Sequence, residues 1–241
     1  MFITTKIKIQ VLKLLRDNGY FLLNTKHKLS RQRIYSPKFE SDNMKYFLYF
    51  KSIIDLVKNV NGNIVECGVA SGRSLLMLSY LSYLYRKDYD SKIWGFDSFE
   101  GFPKPSKEDI SPRNPKKGEH SDTSTSYIER LLSDCDIDNK FIDNNVNLIK
   151  GFLPSSASNY DKSPIAILHI DVDLYESTKA SLEEFYQYVE PGGVVMFDEY
   201  IDDSDNWPGA VKAIQDFFGT QTSLFQRDIY SRKYFFQKPK I

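Results

Sequence analysis

Two short stretches of the chain bring acidic side chains to the ends of apolar runs. ILHIDVDLYEST carries Asp171 and Asp173 with one residue between them, and VVMFDEY carries Asp198 and Glu199 side by side. Each run predicts a buried strand that ends at its acids. Ligands collect at the carboxyl ends of the strands in a doubly wound sheet. We therefore expect Asp171, Asp198 and Glu199 to converge from two adjacent strand ends.

Like charges held this close together need a cation. Carboxylate oxygens are hard ligands, which favour Mg²⁺, or Mn²⁺ or Ca²⁺, over zinc. The alternative is that these acids cap helices or face solvent. That alternative suits Asp173 better than Asp171, because a helix is predicted to open directly after Asp173. The pattern predicts a divalent-metal site formed by Asp171, Asp198 and Glu199.

The stretch VECGVASGRSLL places a glycine turn between a strand and a helix. Gly68, Ser71 and Gly72 follow the strand, and glycine lets a backbone approach a ligand closely. The helix N-terminus beyond the turn offers free N–H groups to an anion. The G-x-x-x-G spacing differs from the G-x-G-x-x-G of dinucleotide binding, which disfavours a nicotinamide enzyme. A tight turn without a ligand is the alternative.

Three further side chains are candidates for the same site. Asp97, in WGFDSFEGFP, follows the glycine turn at the distance where an acid accepts both hydroxyls of a ribose, although a helix cap or surface acid is the alternative. Together, the turn and Asp97 imply a ribose-bearing cofactor. Alternation puts His169 on the strand face of Asp171, where a histidine is more often a core residue than a base. His120 lies in a long loop that could reach the site.

From about residue 63 the chain alternates strand and helix patterns, which indicates a parallel sheet covered on both faces. The predicted strands are 63–69, 92–98, 145–151, 165–171 and 192–200, and the predicted helices are 74–85, 124–134, 176–189 and 207–218. Two later β-like runs, 223–230 and 233–238, predict a hairpin at the sheet edge. The fold class is therefore α/β: a Rossmann-like, doubly wound, mostly parallel seven-stranded sheet with a C-terminal antiparallel hairpin.

The remaining segments set the domain organisation. The aperiodic stretch 100–123, rich in proline, glycine and charge, is expected to be a functional lid or a disordered loop. Residues 1–60 are expected to form an N-terminal helical segment, and residues 61–241 the catalytic domain. The N-terminal helix around Val11 to Leu15 is amphipathic, which predicts a packing or subunit contact, with a basic helix on a membrane surface as the alternative.

The composition excludes several classes of protein. Lys and Arg number 32, as do Asp and Glu, so no net field attracts the chain to nucleic acid or acidic lipid. The two cysteines, Cys67 and Cys135, do not form a disulfide framework, and Cys67 is expected in the core. No stretch has the pattern of a membrane span or a signal peptide, which predicts a cytoplasmic protein.

These motifs together resemble the macrocin O-methyltransferase family, metal-dependent class I S-adenosylmethionine methyltransferases that act on sugar hydroxyls. The matching segments are VECGVASGRS, GFDSFEGFP, NLIKGFLPSS, LHIDVDLYESTKASLEEFY, PGGVVMFDEY and WPGAVKAIQDFF, between about residues 60 and 220. The family more often has two aspartates where this chain has Asp198 and Glu199. The long loop also departs from the family in sequence and length.

The resemblance implies a cofactor and roles for individual residues. S-adenosylmethionine would be bound by Glu66, Gly68, Val69, Ser71, Gly72, Ser74, Asp97, Ser98 and Phe99. Asp171, Asp198 and Glu199 would hold Mg²⁺ (or Mn²⁺). The candidate catalytic residues are Asp171, Asp173 and His120, with His169 as a further candidate base.

The expected function is Mg²⁺-dependent transfer of a methyl group to a sugar hydroxyl of a surface glycan, as in polysaccharide biosynthesis, or of a glycosylated metabolite. A catechol-like acceptor is the alternative within this chemistry. A nucleotide-dependent oxidoreductase or epimerase, or a binding module without catalysis, is the alternative outside it. The expected partners are a small-molecule or glycan acceptor and a second copy of the chain in a homo-oligomer, without nucleic acid.

Overall fold

The computed structural model describes most of the chain from residue 41 onwards. The described ranges are 41–86, 90–135, 137–200 and 206–240. Before residue 41 it describes only Gln10, Lys13, Leu14 and Asp17, which are helical, and two antiparallel strands, β1 (Tyr20–Leu22) and β2 (Leu29–Arg31). Most of the predicted N-terminal amphipathic helix lies outside the described residues.

A seven-stranded mixed sheet forms the centre of the molecule, as the sequence predicts. Its order is β5-β4-β3-β6-β7-β9-β8, in which β9 runs antiparallel to β7 and to β8 and the other pairs are parallel. The strands are β3 (Asn63–Cys67), β4 (Ile93–Asp97), β5 (Val146–Lys150), β6 (Ile165–Ile170), β7 (Val189–Phe197), β8 (Gln226–Arg227) and β9 (Tyr234–Gln237). The order reverses direction between β3 and β6, which is where doubly wound sheets bind ligands.

Helices cover both faces of the sheet. They are α1 (Ser41–Leu56), α2 (Arg73–Tyr85), α3 (Thr125–Asp134), α4 (Asn139–Asn145), α5 (Tyr175–Phe185) and α6 (Pro208–Phe218). The first four contribute to one apolar core and the last two to a second core on the opposite face. Strand alternation assigns Ile64 to the first core and Val65 and Cys67 to the second. Glu66 therefore faces the α1 side of the sheet.

The structure corrects two predicted elements. Helix α4 was missed, because NKFIDNN is polar and buries only Ile142. Its N-cap is Asp138, whose carboxylate accepts a hydrogen bond from the N–H of Lys140 at 2.8 Å. The predicted strand 223–230 is wrong over most of its length: Gly219–Leu224 form 3₁₀ turns, and β8 keeps only two residues. The hairpin of β8 with β9 is confirmed.

Two sequence expectations concern the cysteines and the membrane. Cys67 is fully buried, as predicted, and both cysteines are free thiols. Burial raises the pKa of the Cys67 thiol to about 12. Among the residues that the structure describes, no helix has the length and apolarity needed to cross a membrane.

Candidate active site

The acidic residues lie where β6 and β7 end. Ile170 pairs with Phe197 in the parallel register of these strands, so Asp171 and Asp198, the next residue of each strand, leave the sheet side by side. Asp171, Asp173 and Glu199 form one group whose carboxylate oxygens lie within 4.8 Å of one another. His169, Asp171 and Asp198 form a second group within the same limit. Asp171 belongs to both groups and is the centre of the cluster.

Asp173 is not the N-cap of the helix that follows it, although its sequence context also allows that role. Helix α5 begins at Tyr175, its N-cap residue is Leu174, and no cap side chain bonds to it. Asp173 adopts a left-handed backbone with φ 62° and turns its carboxylate into the cluster. The N–H of Tyr175 is bound instead by Asp109, from the long loop, at 2.8 Å.

Burial and mutual repulsion perturb the carboxylates. Burial raises the pKa of Asp171 and Glu199 well above the usual range, and neighbouring carboxylates raise both further. Burial also raises the pKa of Asp173 to about 6, although a hydrogen bond with Glu199 opposes this shift. Without a cation, these carboxyl groups therefore hold their protons more tightly than isolated carboxyl groups do. A divalent cation would relieve the repulsion and displace those protons.

A lysine that no sequence motif singles out also contacts the cluster. The Nζ atom of Lys233 lies 2.8 Å from Oδ2 of Asp198 and donates to the backbone oxygen of Asp198 at 2.5 Å. Burial lowers the pKa of Lys233, but Asp198 outweighs this effect and the pKa rises to about 12. Lys233 is therefore a permanent positive charge beside the acids.

His169 links the cluster to the strand that leads into the glycine turn. Glu66 pairs with His169 in the parallel register of β3 and β6, and Nδ1 of His169 lies 2.9 Å from Oε1 of Glu66. Burial lowers the pKa of His169, but the hydrogen bond and charge of Glu66, together with the charges of Asp171 and Asp198, outweigh it and leave the pKa above its usual value. The ring of Phe50 packs edge-on against the imidazole at 5.5 Å. His169 is thus held in one orientation from two sides.

The glycine turn packs closely against the residue that follows β6. Gly68 has φ 92°, and a Cβ atom at this position would lie 1.7 Å from the backbone oxygen of Asp171. The turn is closed by Asp97, whose Oδ2 accepts from the N–H groups of Val69 at 2.9 Å and Ala70 at 2.8 Å. Oδ1 of Asp97 accepts from the N–H of Phe99 at 2.6 Å. Asp97 therefore orders this turn, whatever ligand its free lone pairs bind.

A cavity of about 240 Å³ opens between the glycine turn and the acids. Of the predicted cofactor residues, Gly68, Asp97 and Ser98 line it, whereas Val69 and Phe99 are buried in the core. Asp171, Asp173 and His120 line it as well, whereas Asp198 and Glu199 are not among its lining residues. The sequence did not single out several other lining residues, namely Ala70, Phe102, Pro103, Gly151, Phe152, Leu153, Val172 and Ser177.

The other predicted cofactor residues lie at the start of α2 or below the turn. Gly72 takes the N-cap position in a left-handed conformation with φ 79°. Ser71 before it is exposed, and Ser74 is half-buried in the first turn of the helix. Glu66 is fully buried, and its Oε2 has no hydrogen-bond partner among the described residues. A buried carboxylate oxygen in this state indicates a place for a donor that a ligand brings.

The long loop 100–123 is folded against the site. Asp109, at the centre of the loop, is buried, and its Oδ2 accepts from the N–H of Ser106 at 2.7 Å and from its hydroxyl at 2.8 Å. Phe102 packs edge-on against His120 at 5.0 Å and against Trp207 at 5.7 Å. His120 therefore sits on an ordered aromatic wall beside the cavity.

Comparisons with known proteins agree with this geometry. A family model described as macrocin-O-methyltransferase (TylF) matches residues 49–229. A relative from Streptomyces olivaceus, named 8-demethyl-8-(2,3-dimethoxy-alpha-L-rhamnosyl)-tetracenomycin-C 4'-O-methyltransferase, is 27% identical over 150 residues, which are 62% of this chain and 57% of that protein. The demethyldecarbamoylnovobiocin O-methyltransferase of Streptomyces niveus is 30% identical over 149 residues, 59% of this chain and 54% of that protein. The chain thus spans little more than half the length of these curated relatives.

Solved structures share the fold over nearly the whole chain. The crystal structure of the calicheamicin methyltransferase CalS11 matches with a TM-score of 0.71 and 23% identity, covering 98% of this chain and 94% of that chain. The O-methyltransferase NovP matches with a TM-score of 0.68 and 20% identity, covering 98% of this chain and 100% of that chain. The strand order and these matches define a Rossmann-like class I methyltransferase fold. The chain belongs to the macrocin-O-methyltransferase (TylF) family.

Proposed function

We propose that this protein is an O-methyltransferase that transfers a methyl group from S-adenosylmethionine to a hydroxyl of a sugar carried by a glycosylated metabolite or glycan. The observation that supports this most directly is the shared cavity, which is lined both by the glycine turn and by the carboxylates of Asp171 and Asp173. Family membership supports the reaction. The names of the relatives, one of which specifies a rhamnosyl group, support a sugar as acceptor.

The residues present fit S-adenosylmethionine. Gly68 and Ala70 bring backbone to the cavity, Asp97 and Ser98 line it beside them, and the orphaned Oε2 of Glu66 suits an ammonium donor. A buried anionic oxygen without a donor is costly, and a charged ligand group would remove that cost. We assign the methionine end of the cofactor to the Glu66–Gly68 side and the ribose to Asp97.

The residues present also fit Mg²⁺ or Mn²⁺. The proposed donors are hard carboxylate oxygens: Asp171 is grouped with Asp198 in one set of possible ligands and with Glu199 in the other. S-adenosylmethionine would supply the methyl group, and the metal would orient two neighbouring hydroxyls of the acceptor and lower the pKa of one. The other catalytic role, removal of the proton from the acceptor hydroxyl, is assigned to residues of this chain.

Asp173 is the residue best placed to accept the acceptor proton. It lines the cavity, and burial puts its pKa at about 6, close to the value that a general base needs near neutral pH. His120 lines the same cavity and lowers the pKa of Asp173 electrostatically, so it would favour the charged form of the base. The aromatic wall of Phe102 and Trp207 next to His120 would exclude water from this side of the acceptor.

Calorimetry with S-adenosylhomocysteine and MgCl₂ tests the two sites separately. We expect the wild type to bind both, and Asp198→Ala to bind S-adenosylhomocysteine but lose the Mg²⁺ heat. Asp161→Ala, an exposed acid away from the cavity, serves as the control. Loss of S-adenosylhomocysteine binding in Asp198→Ala with Mg²⁺ binding intact would refute the assignment. No binding of S-adenosylhomocysteine to the wild type would refute the methyltransferase.

A transfer assay then tests the acceptor. Methyl-labelled S-adenosylmethionine would be incubated with free and nucleotide-linked rhamnose, aryl rhamnosides and catechol, with and without EDTA. We expect label on a rhamnose-containing acceptor only when Mg²⁺ is present. Label on catechol alone would replace the sugar by a phenol as the acceptor class. A cytoplasmic location and a homo-oligomer stay predictions from the sequence.

A further inference from the structure

The C-terminal strand brings a buried ammonium group to the carboxylate cluster. Lys233 is 8% exposed, and its Nζ contacts both Oδ2 and the backbone oxygen of Asp198, at 2.8 and 2.5 Å. The antiparallel register of β7 and β9 produces this contact, because Phe197 pairs with Tyr234 and the preceding Lys233 then lies opposite Asp198. The contact is therefore fixed by the sheet and not by a mobile surface chain.

Helix α1 holds Lys233 from the other side. The ring of Tyr46 lies 5.7 Å from Nζ of Lys233, within the range of a cation–π contact. The guanidinium of Arg73, at the start of α2, stacks on the same ring at 4.4 Å. Lys233 is thus held between Asp198 at the end of β7 and Tyr46 of α1.

We propose that Lys233 is a positioning residue of the metal site: a resident counter-cation that holds Asp198 while the metal is absent and weakens the binding of Mg²⁺ when it arrives. The inference rests on the proposed metal site. Without Lys233, four carboxyl groups would crowd together with no cation from the described residues bonded to Asp198. With it, one of the ligands is oriented and partly neutralised in advance.

The direction of the effect follows from the charges. The ammonium carries the same sign as Mg²⁺ and lies beside one of its ligands, so the two cations repel each other. At an effective dielectric constant of about 20, the repulsion between charges a few ångströms apart is enough to change affinity about tenfold or more. Removal of the Lys233 charge should therefore tighten Mg²⁺ binding and destabilise the metal-free protein. A purely structural lysine would change stability but leave Mg²⁺ affinity unchanged.

The test is titration of MgCl₂ into the EDTA-treated, dialysed full chain by calorimetry, with thermal unfolding measured in parallel. We expect Lys233→Met to bind Mg²⁺ about tenfold or more tightly than the wild type, and Lys233→Arg to bind like the wild type. Lys238→Met is the matched control, because Lys238 lies beyond the other end of β9 and bonds to the backbone oxygen of Val189 at 2.7 Å. Its Mg²⁺ affinity should equal that of the wild type.

The outcomes separate the two proposals. Mg²⁺ binding by the wild type with equal or weaker binding by Lys233→Met would overturn the role of Lys233 and leave the metal site standing. No Mg²⁺ heat in either protein would overturn the metal site and this inference with it. If Lys233→Met is unfolded in EDTA, addition of MgCl₂ should restore its circular dichroism spectrum, and failure to restore it would overturn the inference.

Discussion

The imidazole of His169 and the carboxylate of Glu66 form a buried pair between neighbouring strands, with Nδ1 and Oε1 2.9 Å apart. One member faces the carboxylate cluster, and the other lies two residues before Gly68 of the glycine turn. The pair leaves Oε2 of Glu66 without a donor among the described residues. Such an oxygen costs about 1–3 kcal/mol when it stays buried and unpaired. A ligand that brings a donor to Oε2 recovers that cost.

Glu66→Gln should therefore weaken cofactor binding and have little effect on stability. Gln keeps an oxygen that can accept from His169, so the free energy of unfolding without ligand should change little. The affinity for S-adenosylhomocysteine should fall about tenfold or more, because a hydrogen bond to a charged group contributes about 1.5–3 kcal/mol. Calorimetry measures the affinity, with Glu190→Gln in β7 as control. Equal affinity in Glu66→Gln and the wild type would contradict the assignment.

Gly68 and Gly118 form a matched pair for testing how tightly the glycine turn is packed. Both have positive φ, 92° and 83°, but a Cβ at Gly68 meets the backbone oxygen of Asp171, whereas a Cβ at Gly118 meets nothing within 4 Å. Gly118→Ala should cost about 1–2 kcal/mol for the left-handed backbone alone. Gly68→Ala should cost about 4 kcal/mol or more, since β6 must also move. Urea unfolding measures both, and equal costs would show that the contact with Asp171 is not tight.

The raised pKa of Asp173 gives the metal-free protein a defined pH dependence. Its folded-state pKa of about 6 lies above the usual 3.8, so the folded state binds the extra proton between these values. The free energy of unfolding therefore falls as the pH rises from 3.8 to about 6. Above about pH 6, the buried carboxylate is charged and its full destabilising effect is present. Asp173→Asn in EDTA should be more stable than the wild type by about 2–3 kcal/mol at about pH 8, and by much less at about pH 4.

Urea unfolding at the two pH values tests this prediction, with Asp143→Asn on the surface of α4 as a control that should show no such difference. Saturating MgCl₂ should reverse the order, because the wild type then gains binding energy from its intact cluster. A metal-free Asp173→Asn variant that is less stable than the wild type at about pH 8 would mean that burial does not destabilise the charged carboxylate in the folded state.

Asp109 anchors the long loop and gives a prediction about its order. Its carboxylate accepts from the N–H of Tyr175 and from Ser106, and its burial leaves no water to replace those bonds. Asp109→Ala should lower the free energy of unfolding by about 1–3 kcal/mol. It should also expose the loop to trypsin at sites such as Lys107 and Lys116. Mass spectrometry of a limited digest would detect the cleavage, and wild-type resistance without a change in Asp109→Ala would refute the anchor.

The strands of the sheet and the approach of the acidic residues to one another can be predicted from the sequence. Apolar runs that end in acids predict both the strand ends and the approach of Asp198 and Glu199 to Asp171, because adjacent parallel strands end at one edge. Lys233 could not be predicted this way. Its neighbour Asp198 lies 35 positions away, and the pairing depends on which strand inserts beside β7. Asp109 sits in an aperiodic loop, where no local pattern indicates a buried acid.

The insertion of β9 has a consequence for synthesis of the protein. Strand β9 lies between β7 and β8, although β8 precedes it along the chain. A nascent chain emerges from the ribosome N-terminus first, so the glycine turn and the acids are available before Lys233. Until β9 emerges, the apolar edge of β7 at Val194–Phe197 is unpaired and open to other chains. Strand β9 therefore covers this edge of β7 and brings Lys233 to Asp198 in the same event.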